Sequence, residues 1–304
     1  TVFSFSIFFV SIWGFFQLFA FYSGINFPDS IFNTMSTDFM MEANTVFGDY
    51  YSNFPRINSV TQEPSHLSLN LLVAIPILYS TLLLKSNSMK FNPYKIGFFG
   101  SIILLVLTTS TTAFLGLIIL FFVSIYIIQK FRIYSVKRLL YSGILFLLII
   151  ITFYFNFESI QSFINQVLIN KGESSSALVR LYTVSESFEY FKKYPILGIG
   201  WSVATSDDLF ILLLANSGLI GLFSFLFLIY YIIKSSIFLY KSNNLEVDFK
   251  NSFLLINLSF LISLITFILV SVFLGFLWYQ PLFYFIVGIL VANFKNYKIK
   301  IDDI

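Results

Sequence analysis

Long apolar runs, separated by shorter polar segments, make up most of the chain. They lie roughly at residues 2–22, 66–84, 96–111, 113–129, 139–157, 209–233, 252–274 and 279–294. A helix needs about 20 residues to cross the hydrocarbon of a bilayer, with about 17 as the usual lower limit. The pattern therefore predicts an all-α polytopic membrane protein with about eight transmembrane helices. Residues 1–304 are predicted to form a single transmembrane domain.

The third and fourth runs are short, and only Thr111 and Thr112 separate them. They are either two half-length helices or two crossings joined by a tight turn of Ser and Thr residues. The chain begins at Thr1 inside an apolar run, without a methionine or a basic segment before it. We therefore expect a chain cut at its N-terminus, with further helices preceding residue 1.

The composition supports a membrane protein and removes several kinds of chemistry. Hydrophobic residues make up 58% of the 304 residues and charged residues only 11%, whereas a soluble domain has about 25% charged residues. With no cysteine and one histidine, His66, the chain has no means to build thiolate or multi-histidine metal sites. We expect no metal, no cofactor and no nucleic-acid partner.

Basic residues are distributed unevenly between the predicted loops. Thirteen of the 18 Lys and Arg residues fall on one side of an eight-span topology, which the positive-inside rule assigns to the cytoplasm. The alternation requires that residues 96–129 cross twice. Two long loops, residues 23–65 and 158–208, then lie on the outer face, where they carry eleven acidic and five basic side chains. Loops of this length are usually functional or disordered, and these are not of low complexity, so we expect the chemistry there.

The second outer loop contains a predicted amphipathic helix, with one mainly apolar side and one charged side. The first side carries Leu178, Leu181, Tyr182, Ser185, Phe188 and Phe191, and the second carries Glu186, Glu189, Lys192 and Lys193. Such a helix is typical of the membrane interface. Pro195 should end it, and Gly198 and Gly200 should form a turn beside Trp201. An acidic pair, Asp207 and Asp208, then precedes the next span.

Four stretches between about residues 50 and 235 follow one another in a distinctive order. They are Arg56–Ser65, Thr108–Ala113, Arg180 with the aromatic helix and Tyr194–Trp201, and Leu213–Leu222. In this order they resemble the O-antigen polymerase and O-antigen ligase family of polysaccharide enzymes. Ligases carry a His-Asn pair after the Gly-x-Gly turn, where this chain has the acidic pair, and this departure favours a polymerase. The Ser/Thr break of the family often includes an arginine, which this chain lacks.

The resemblance implies a membrane glycosyltransferase that polymerises polyprenyl-diphosphate-linked oligosaccharide repeats into O-antigen or capsular polysaccharide. Its donor would be an undecaprenyl-diphosphate-linked oligosaccharide, on the periplasmic face of a bacterial inner membrane. A chain-length regulator and a flippase would be protein partners, and membrane lipids would surround it. The alternatives are a ligase of the same family and a transporter of lipid-linked oligosaccharides. A transporter would need charged residues inside the spans, and none occurs in the middle of a span.

Arg180 and Arg56 are the candidate ligands of the donor diphosphate, because guanidinium groups form paired hydrogen bonds with phosphate oxygens. Alternatively, Arg180 anchors its helix by extending to the headgroups, and Arg56 is a solvated loop residue. Trp201 is the candidate residue for stacking on a sugar, although an aromatic belt at the membrane surface accounts for it as well.

Four residues are candidates for the group that takes the proton of the acceptor hydroxyl. They are Glu63, His66, Asp207 and Asp208. Glu63 precedes Pro64 at the start of a span and therefore suits a helix cap equally well. Capping also accounts for at least one of the two aspartates. Histidine is a base suited to neutral pH, but a single histidine such as His66 at an interface is more often a polar anchor.

Overall fold

A computed structural model describes residues 2–28, 31–32, 57–85, 92–131, 175–241, 247–273 and 280–302. Helices dominate these ranges, and no β-strand occurs within them. In chain order the helices are α1 (Val2–Ser23), α2 (Pro64–Lys85), α3 (Pro93–Leu107), α4 (Thr111–Phe131), α5 (Ser175–Lys193), α6 (Leu209–Lys241), α7 (Val247–Ser271) and α8 (Pro281–Asp302). The prediction of an all-α protein is thus confirmed for the described part of the chain.

Among the described helices, α1, α2, α4, α6 and α7 are long and apolar enough to cross a membrane. Helix α3, with 15 residues, and the apolar part of α8, Pro281–Lys295, are shorter. The helices therefore agree with a polytopic membrane protein, whereas the number of eight crossings stays a prediction. The predicted span at residues 139–157 lies outside the described residues.

The chain divides into two compact units, Thr1–Ser174 and Ser175–Ile304. The first contains α1 to α4 and the second contains α5 to α8. The single transmembrane domain that the sequence suggests stays a prediction. Each unit contains one of the polar regions that the sequence singles out, and each is described here by itself.

In the first unit, α1 packs along α3, and small residues bring the two helices close. Gly97 lies against the backbone of Ser4 and Phe8. Gly100 lies against Ser11, and a Cβ on Gly14 would lie 2.8 Å from a methyl group of Leu104. The contacts advance along both helices in the same direction, so α1 and α3 run parallel.

Helix α2 packs against both α3 and α4. It runs antiparallel to α3, since the Ser68 hydroxyl lies 2.8 Å from that of Thr108, and the Tyr79 ring lies 5.8 Å from the Phe98 ring. Helix α4 starts beside the first turn of α2 and then packs along it, with Gly116 against Leu72. The pair α3 and α4 is therefore a hairpin, and whether it makes two crossings or consists of two half-length helices stays open.

The turn of this hairpin lies at residues 108–110, slightly earlier than the sequence predicts. Thr109 has a φ of 48°, which reverses the chain. The Ser110 hydroxyl accepts a hydrogen bond from the Thr112 amide at 3.3 Å and so helps to cap α4. Thr111 and Thr112 therefore belong to the helix, because the preceding serine satisfies its free amides.

In the second unit, α6, α7 and α8 pack against one another largely through phenylalanine rings. The Phe283 ring lies 5.6 Å from that of Phe267 and 6.4 Å from that of Phe225. Helix α6 is interrupted at Gly218, whose φ of 64° and ψ of −165° are not helical. The predicted span over residues 209–233 lies within a helix that is long and apolar enough to cross a membrane. The break at Gly218 was not predicted, because apolar periodicity does not reveal a break in the backbone.

Candidate functional site

The turn that follows α5 inserts into the hydrogen-bond ladder of α6. In a continuous helix, the amides of residues 219 and 220 would bond the carbonyls of residues 215 and 216. Instead, Ile199 N–H donates to Ala215 C=O (2.9 Å), Gly200 N–H to Asn216 C=O (3.0 Å), Leu219 N–H to Pro195 C=O (2.9 Å) and Ile220 N–H to Ile196 C=O (3.3 Å). The turn thereby supplies partners for four backbone groups that the break exposes.

Two glycines make this insertion sterically possible. Gly198 has a φ of 68°, and a Cβ there would collide with the backbone of Asn216. Gly218 has a φ of 64°, and a Cβ there would collide with the backbone carbonyl of Ile196. Only glycine combines these dihedrals with such a close approach of two backbones. The stretches Tyr194–Trp201 and Leu213–Leu222, which the sequence suggests as family features, therefore form one substructure.

The side chain of Asn216 fixes the next part of the turn. It is 3% exposed, and its Oδ1 accepts hydrogen bonds from the amides of Val203 (2.8 Å) and Ala204 (2.9 Å). Its Nδ2 donates to the carbonyls of Ala204 (2.9 Å) and Leu212 (3.0 Å). A fully bonded buried amide of this kind holds residues 203–204 in one position relative to α6.

The two aspartates that precede α6 have different environments. The Asp208 carboxylate accepts a hydrogen bond from the Ile211 amide at 2.8 Å, and its carbonyl accepts one from Leu212 at 2.9 Å. Asp208 is thus the N-cap of α6, as the sequence suggests for at least one of the pair. The Asp207 carboxylate accepts a hydrogen bond from the Thr183 hydroxyl of α5 at 3.3 Å. It connects the turn to α5.

Arg180 lies on the side of α5 that faces this turn. One and two turns further along the helix, Thr183 contacts Asp207, and the Ser187 hydroxyl donates to the Thr205 carbonyl at 2.8 Å. Arg180 is half-buried, and it forms no ion pair with a carboxylate within the described ranges. Arg180 therefore lies on the same side of α5 as two residues that bond to residues 205–207, and those carboxylates do not pair with its charge.

The opposite side of α5 is exposed in the second unit. Leu178, Leu181 and Tyr182 are all more than half exposed, as is Trp201 in the turn, and the charged side chains further along the helix are exposed as well. The predicted helix is confirmed, while its amphipathic character and its position at a membrane interface stay predictions. Near its end, the Tyr190 hydroxyl donates to Glu186 at 3.2 Å, and the charge of that carboxylate raises the pKa of Tyr190.

The first unit brings together the other two stretches that resemble the family. The Ile57 amide donates to the Leu107 carbonyl at 3.3 Å, so residues 57–63 lie beside the turn at residues 108–110. The Ser68 hydroxyl, which contacts Thr108, also donates to the Pro64 carbonyl at 2.8 Å. The result is a buried group of hydroxyl side chains next to the start of α2. Arg56 lies outside the described residues.

The Glu63 side chain lies at the N-terminus of α2 without serving as its cap. Its backbone carbonyl accepts hydrogen bonds from the amides of His66 (3.1 Å) and Leu67 (3.2 Å), as at an N-cap position. Its carboxylate instead accepts one from the Ser65 hydroxyl at 3.0 Å. A carboxylate has about four acceptor positions, and Ser65 is the only donor found on it among the described residues. His66 lies half-buried in the first turn of α2.

The sequence reasoning missed two buried amides, Gln17 in α1 and Asn216 in α6. Each interrupts an apolar run with a side chain that has both a donor and an acceptor. Such an interruption indicates that the amide needs a hydrogen-bond partner. In the described part of the chain, no group of three or more His, Asp or Glu side chains could hold a metal ion.

These observations define the class of protein. It is a helical membrane protein in which one polar segment forms hydrogen bonds beside the turn between two helices, and another forms them at a break within a helix. Residues 96–226 match the family model described as O-antigen ligase, which confirms the resemblance to the O-antigen polymerase and ligase family. The matched range runs from α3 into α6 and includes Arg180 and Asp207. No curated protein and no solved structure matches the chain. The match covers 131 of the 304 residues. It supports a membrane enzyme of the glycosyl-transfer type that acts on lipid-linked glycans.

Proposed function

We propose that the protein polymerises polyprenyl-diphosphate-linked oligosaccharide repeats into O-antigen or capsular polysaccharide. The observation that carries the proposal is the placement of Arg180, on a helix bonded to the rigid turn and inside the range that matches the family model. The reaction would take place on the periplasmic face of a bacterial inner membrane, with a flippase and a chain-length regulator as partners.

Arg180 would bind the diphosphate of the donor. The bond between the anomeric carbon and the diphosphate oxygen breaks in the reaction, and the departing polyprenyl diphosphate keeps the electron pair. A guanidinium group offers two parallel hydrogen bonds to its oxygens and remains charged at any physiological pH. The donor is already activated, so the step needs neither a nucleotide sugar nor ATP.

Glu63 is the proposed proton acceptor for the sugar hydroxyl that attacks the anomeric carbon. Among the candidate carboxylates, that of Asp208 caps α6 and that of Asp207 bonds to α5, whereas the Glu63 carboxylate accepts a hydrogen bond only from Ser65 within the described residues. The hydroxyl proton would pass to Glu63 as the new glycosidic bond forms. Asp207 is the second choice, and His66 is the third. Trp201, exposed beside the turn, is the proposed surface for a sugar ring.

A ligase is the alternative function, and the description of the matching family favours it. The two enzymes differ in the acceptor, because a ligase transfers the finished polymer to another molecule. The acidic pair at residues 207–208, in place of the His-Asn pair of ligases, supports a polymerase.

Deletion of the gene in its host should separate these functions by the glycan that accumulates. Loss of a polymerase should leave single repeats, both on the carrier lipid and at the cell surface. Loss of a ligase should leave complete polymer on the carrier lipid, and loss of a transporter should leave repeats on the cytoplasmic face. Electrophoresis of extracted glycolipids distinguishes the three results, and a normal polymer ladder would contradict the polymerase proposal.

The proposed orientation has a separate test, because the chain contains no cysteine of its own. A Ser185→Cys variant on α5 should react with a membrane-impermeant thiol reagent in intact spheroplasts. A Lys95→Cys variant, at the start of α3, should react only after the membrane is opened. The reverse pattern would contradict the assignment of the outer face.

A further inference from the structure

Gln17 is a polar residue buried within an apolar helix. It lies six residues before the end of α1 at Ser23, and 2% of it is exposed. Burying an amide without hydrogen-bond partners costs free energy. The groups that bond to Gln17 therefore indicate which segment it holds in place.

All of the hydrogen bonds found on this side chain connect α1 to one short segment that precedes α2. The Gln17 Nε2 donates to Asn58 Oδ1 at 2.6 Å. The Gln17 Oε1 accepts from two successive amides, those of Asn58 at 3.2 Å and Ser59 at 2.9 Å. The Ser59 hydroxyl adds a bond to the Val10 carbonyl at 2.8 Å, about two turns deeper along α1. We name these four residues the amide clamp.

The backbone of the clamped segment is shaped for these bonds. Ser59 has a φ of 50°, which is uncommon for a residue with a side chain. The bend presents two consecutive N–H groups to a single amide oxygen. Asn58 and Ser59 are both fully buried, so the segment is held by side-chain hydrogen bonds out of contact with water.

From the amide clamp, further hydrogen bonds lead to Glu63. The Asn58 carbonyl accepts from the Thr61 amide at 2.9 Å, and the Asn58 side chain donates to the Gln62 carbonyl at 3.3 Å. The Thr61 hydroxyl lies 2.7 Å from the Asn58 carbonyl and 2.9 Å from that of Glu63. The position of Glu63 is therefore connected to the inside of α1 by an unbroken series of contacts.

We propose that Gln17 is a positioning residue for Glu63. It fixes the segment that carries this carboxylate, so that the carboxylate meets the acceptor hydroxyl in one geometry. The inference rests on the proposed function, in which Glu63 takes the proton. A displacement of about 1 Å at a reacting group costs up to about a hundredfold in rate, so loss of the amide clamp should be measurable.

The test uses the purified full chain in liposomes, with the polyprenyl-diphosphate-linked repeat extracted from the host as substrate. Gln17→Met keeps the length of the side chain and removes its hydrogen bonds. Thr61→Val removes the hydroxyl that contacts the Asn58 and Glu63 carbonyls, while the buried hydrogen bonds of Gln17 remain. We expect kcat to fall about 10- to 100-fold in Gln17→Met and less in Thr61→Val, with KM unchanged within about twofold.

Ser11→Ala is the matched control. Ser11 is buried in the same helix, but within the described residues its hydroxyl bonds only to the Ile7 carbonyl of α1. Its loss should leave kcat unchanged. If Gln17→Met does not yield monodisperse protein, Thr61→Val by itself decides the question.

A double-mutant cycle separates positioning from general stabilisation. If Gln17 acts through Glu63, Gln17→Met combined with Glu63→Gln should be no slower than Glu63→Gln alone. Additive losses would overturn the inference, as would wild-type rates in both Gln17→Met and Thr61→Val. Wild-type protein that forms no polymer would contradict the proposed function instead, so the two failures are distinguishable.

Discussion

The two units contain polar segments of similar kind that are held by different means. In the first unit, the segment at residues 57–63 is held mainly by side chains, above all by the Gln17 amide. In the second, the turn at residues 195–200 is held by backbone hydrogen bonds and lies in contact with the backbone of α6. The first arrangement depends on the Gln17 side chain. The second depends on the absence of a side chain at Gly198 and Gly218.

The glycines of the two units show the same contrast. A Cβ on Gly14 in α1 would meet the methyl groups of Leu104, which are the flexible end of a side chain. A Cβ on Gly198 or Gly218 would meet backbone atoms, which cannot move without breaking the inserted turn. The comparison teaches that an apparently similar helix-packing glycine is tolerant of change in one unit and indispensable in the other.

Substitution of Gly218 should therefore have the largest effect. Gly218→Ala places a side chain in a conformation that is essentially restricted to glycine, against the Ile196 carbonyl. We expect a loss of more than about 3 kcal/mol, which is a large fraction of the stability of a typical domain. The yield of monodisperse protein and its thermal unfolding in detergent would measure this.

Three other glycines provide graded controls for that measurement. Gly14→Ala should be milder because Leu104 can shift. Gly24→Ala combines a φ of 66° with open space, so it should show only the cost of the dihedral, about 1–2 kcal/mol. Gly288→Ala, in α8 with open space around it, should be neutral. Equal losses in Gly14→Ala and Gly218→Ala would remove the contrast between the units.

The carboxylates should distinguish the chemistry of the two units. Glu63→Gln keeps the shape of the side chain but removes the proton acceptor, and we expect about 10²- to 10⁴-fold slower polymerisation. Asp208→Asn should remain active, because asparagine caps a helix about as well as aspartate does. Polymer ladders from cells with normal protein levels would report both results.

Asp207→Asn decides between the first and the second choice of proton acceptor. If it abolishes chain growth while Glu63→Gln does not, the base lies in the second unit and the proposed assignment is wrong. If all three amide variants polymerise, none of the carboxylates is essential, and His66 or substrate-assisted chemistry takes precedence.

The arginine of the second unit should give an effect of intermediate size. Loss of one charged hydrogen bond to the diphosphate in Arg180→Ala should cost about 2–4 kcal/mol of transition-state stabilisation, or roughly 30- to 1000-fold in rate. Arg180→Lys keeps the charge but loses the paired geometry, so it should recover only part of the rate. Lys193→Ala, an exposed cation on the same helix, is the control. Normal polymer from well-expressed Arg180→Ala would rule the role out.

The smallest effects should come from single hydroxyl groups that attach each segment. Ser187→Ala removes the bond of α5 to Thr205, and Ser59→Ala removes the bond between Ser59 and Val10 within the amide clamp. Each should cost about 1 kcal/mol of stability. Thermal unfolding of both variants, compared with that of wild type, would show whether the two segments are equally dependent on side-chain bonds.

The sequence predicts the helices well and their breaks poorly. Apolar runs locate α1, α2 and α4 within two residues at each end, because length and hydrophobicity alone decide a membrane helix. They do not locate the interruption at Gly218, since leucine and isoleucine continue on both sides of it. The break depends on a partner turn about 20 residues earlier, which is a tertiary effect.

The residues of the candidate site can be predicted from the sequence, whereas the hydrogen bonds that hold them cannot. The family stretches direct attention to Glu63, Arg180 and the acidic pair, and helix capping by Asp208 follows from its position. The contribution of Gln17 and Asn216 could not be assigned from the sequence. An isolated amide in an apolar run shows that a partner is needed without showing which segment supplies it.

The insertion of the turn into α6 also has a consequence for the order in which the chain is made. Residues 195–200 leave the ribosome before residues 215–220, so their backbone groups are available as partners when the interrupted helix emerges. The part of α6 after Gly218 has 23 residues, about 34 Å at 1.5 Å per residue, and its apolar portion ends before Lys234. The part of α6 before Gly218 depends on hydrogen bonds from residues 195–200, because unbonded amides and carbonyls are costly in lipid. Because the chain is made from its N-terminus, the residues that bond to the break in α6 are synthesised before the break itself.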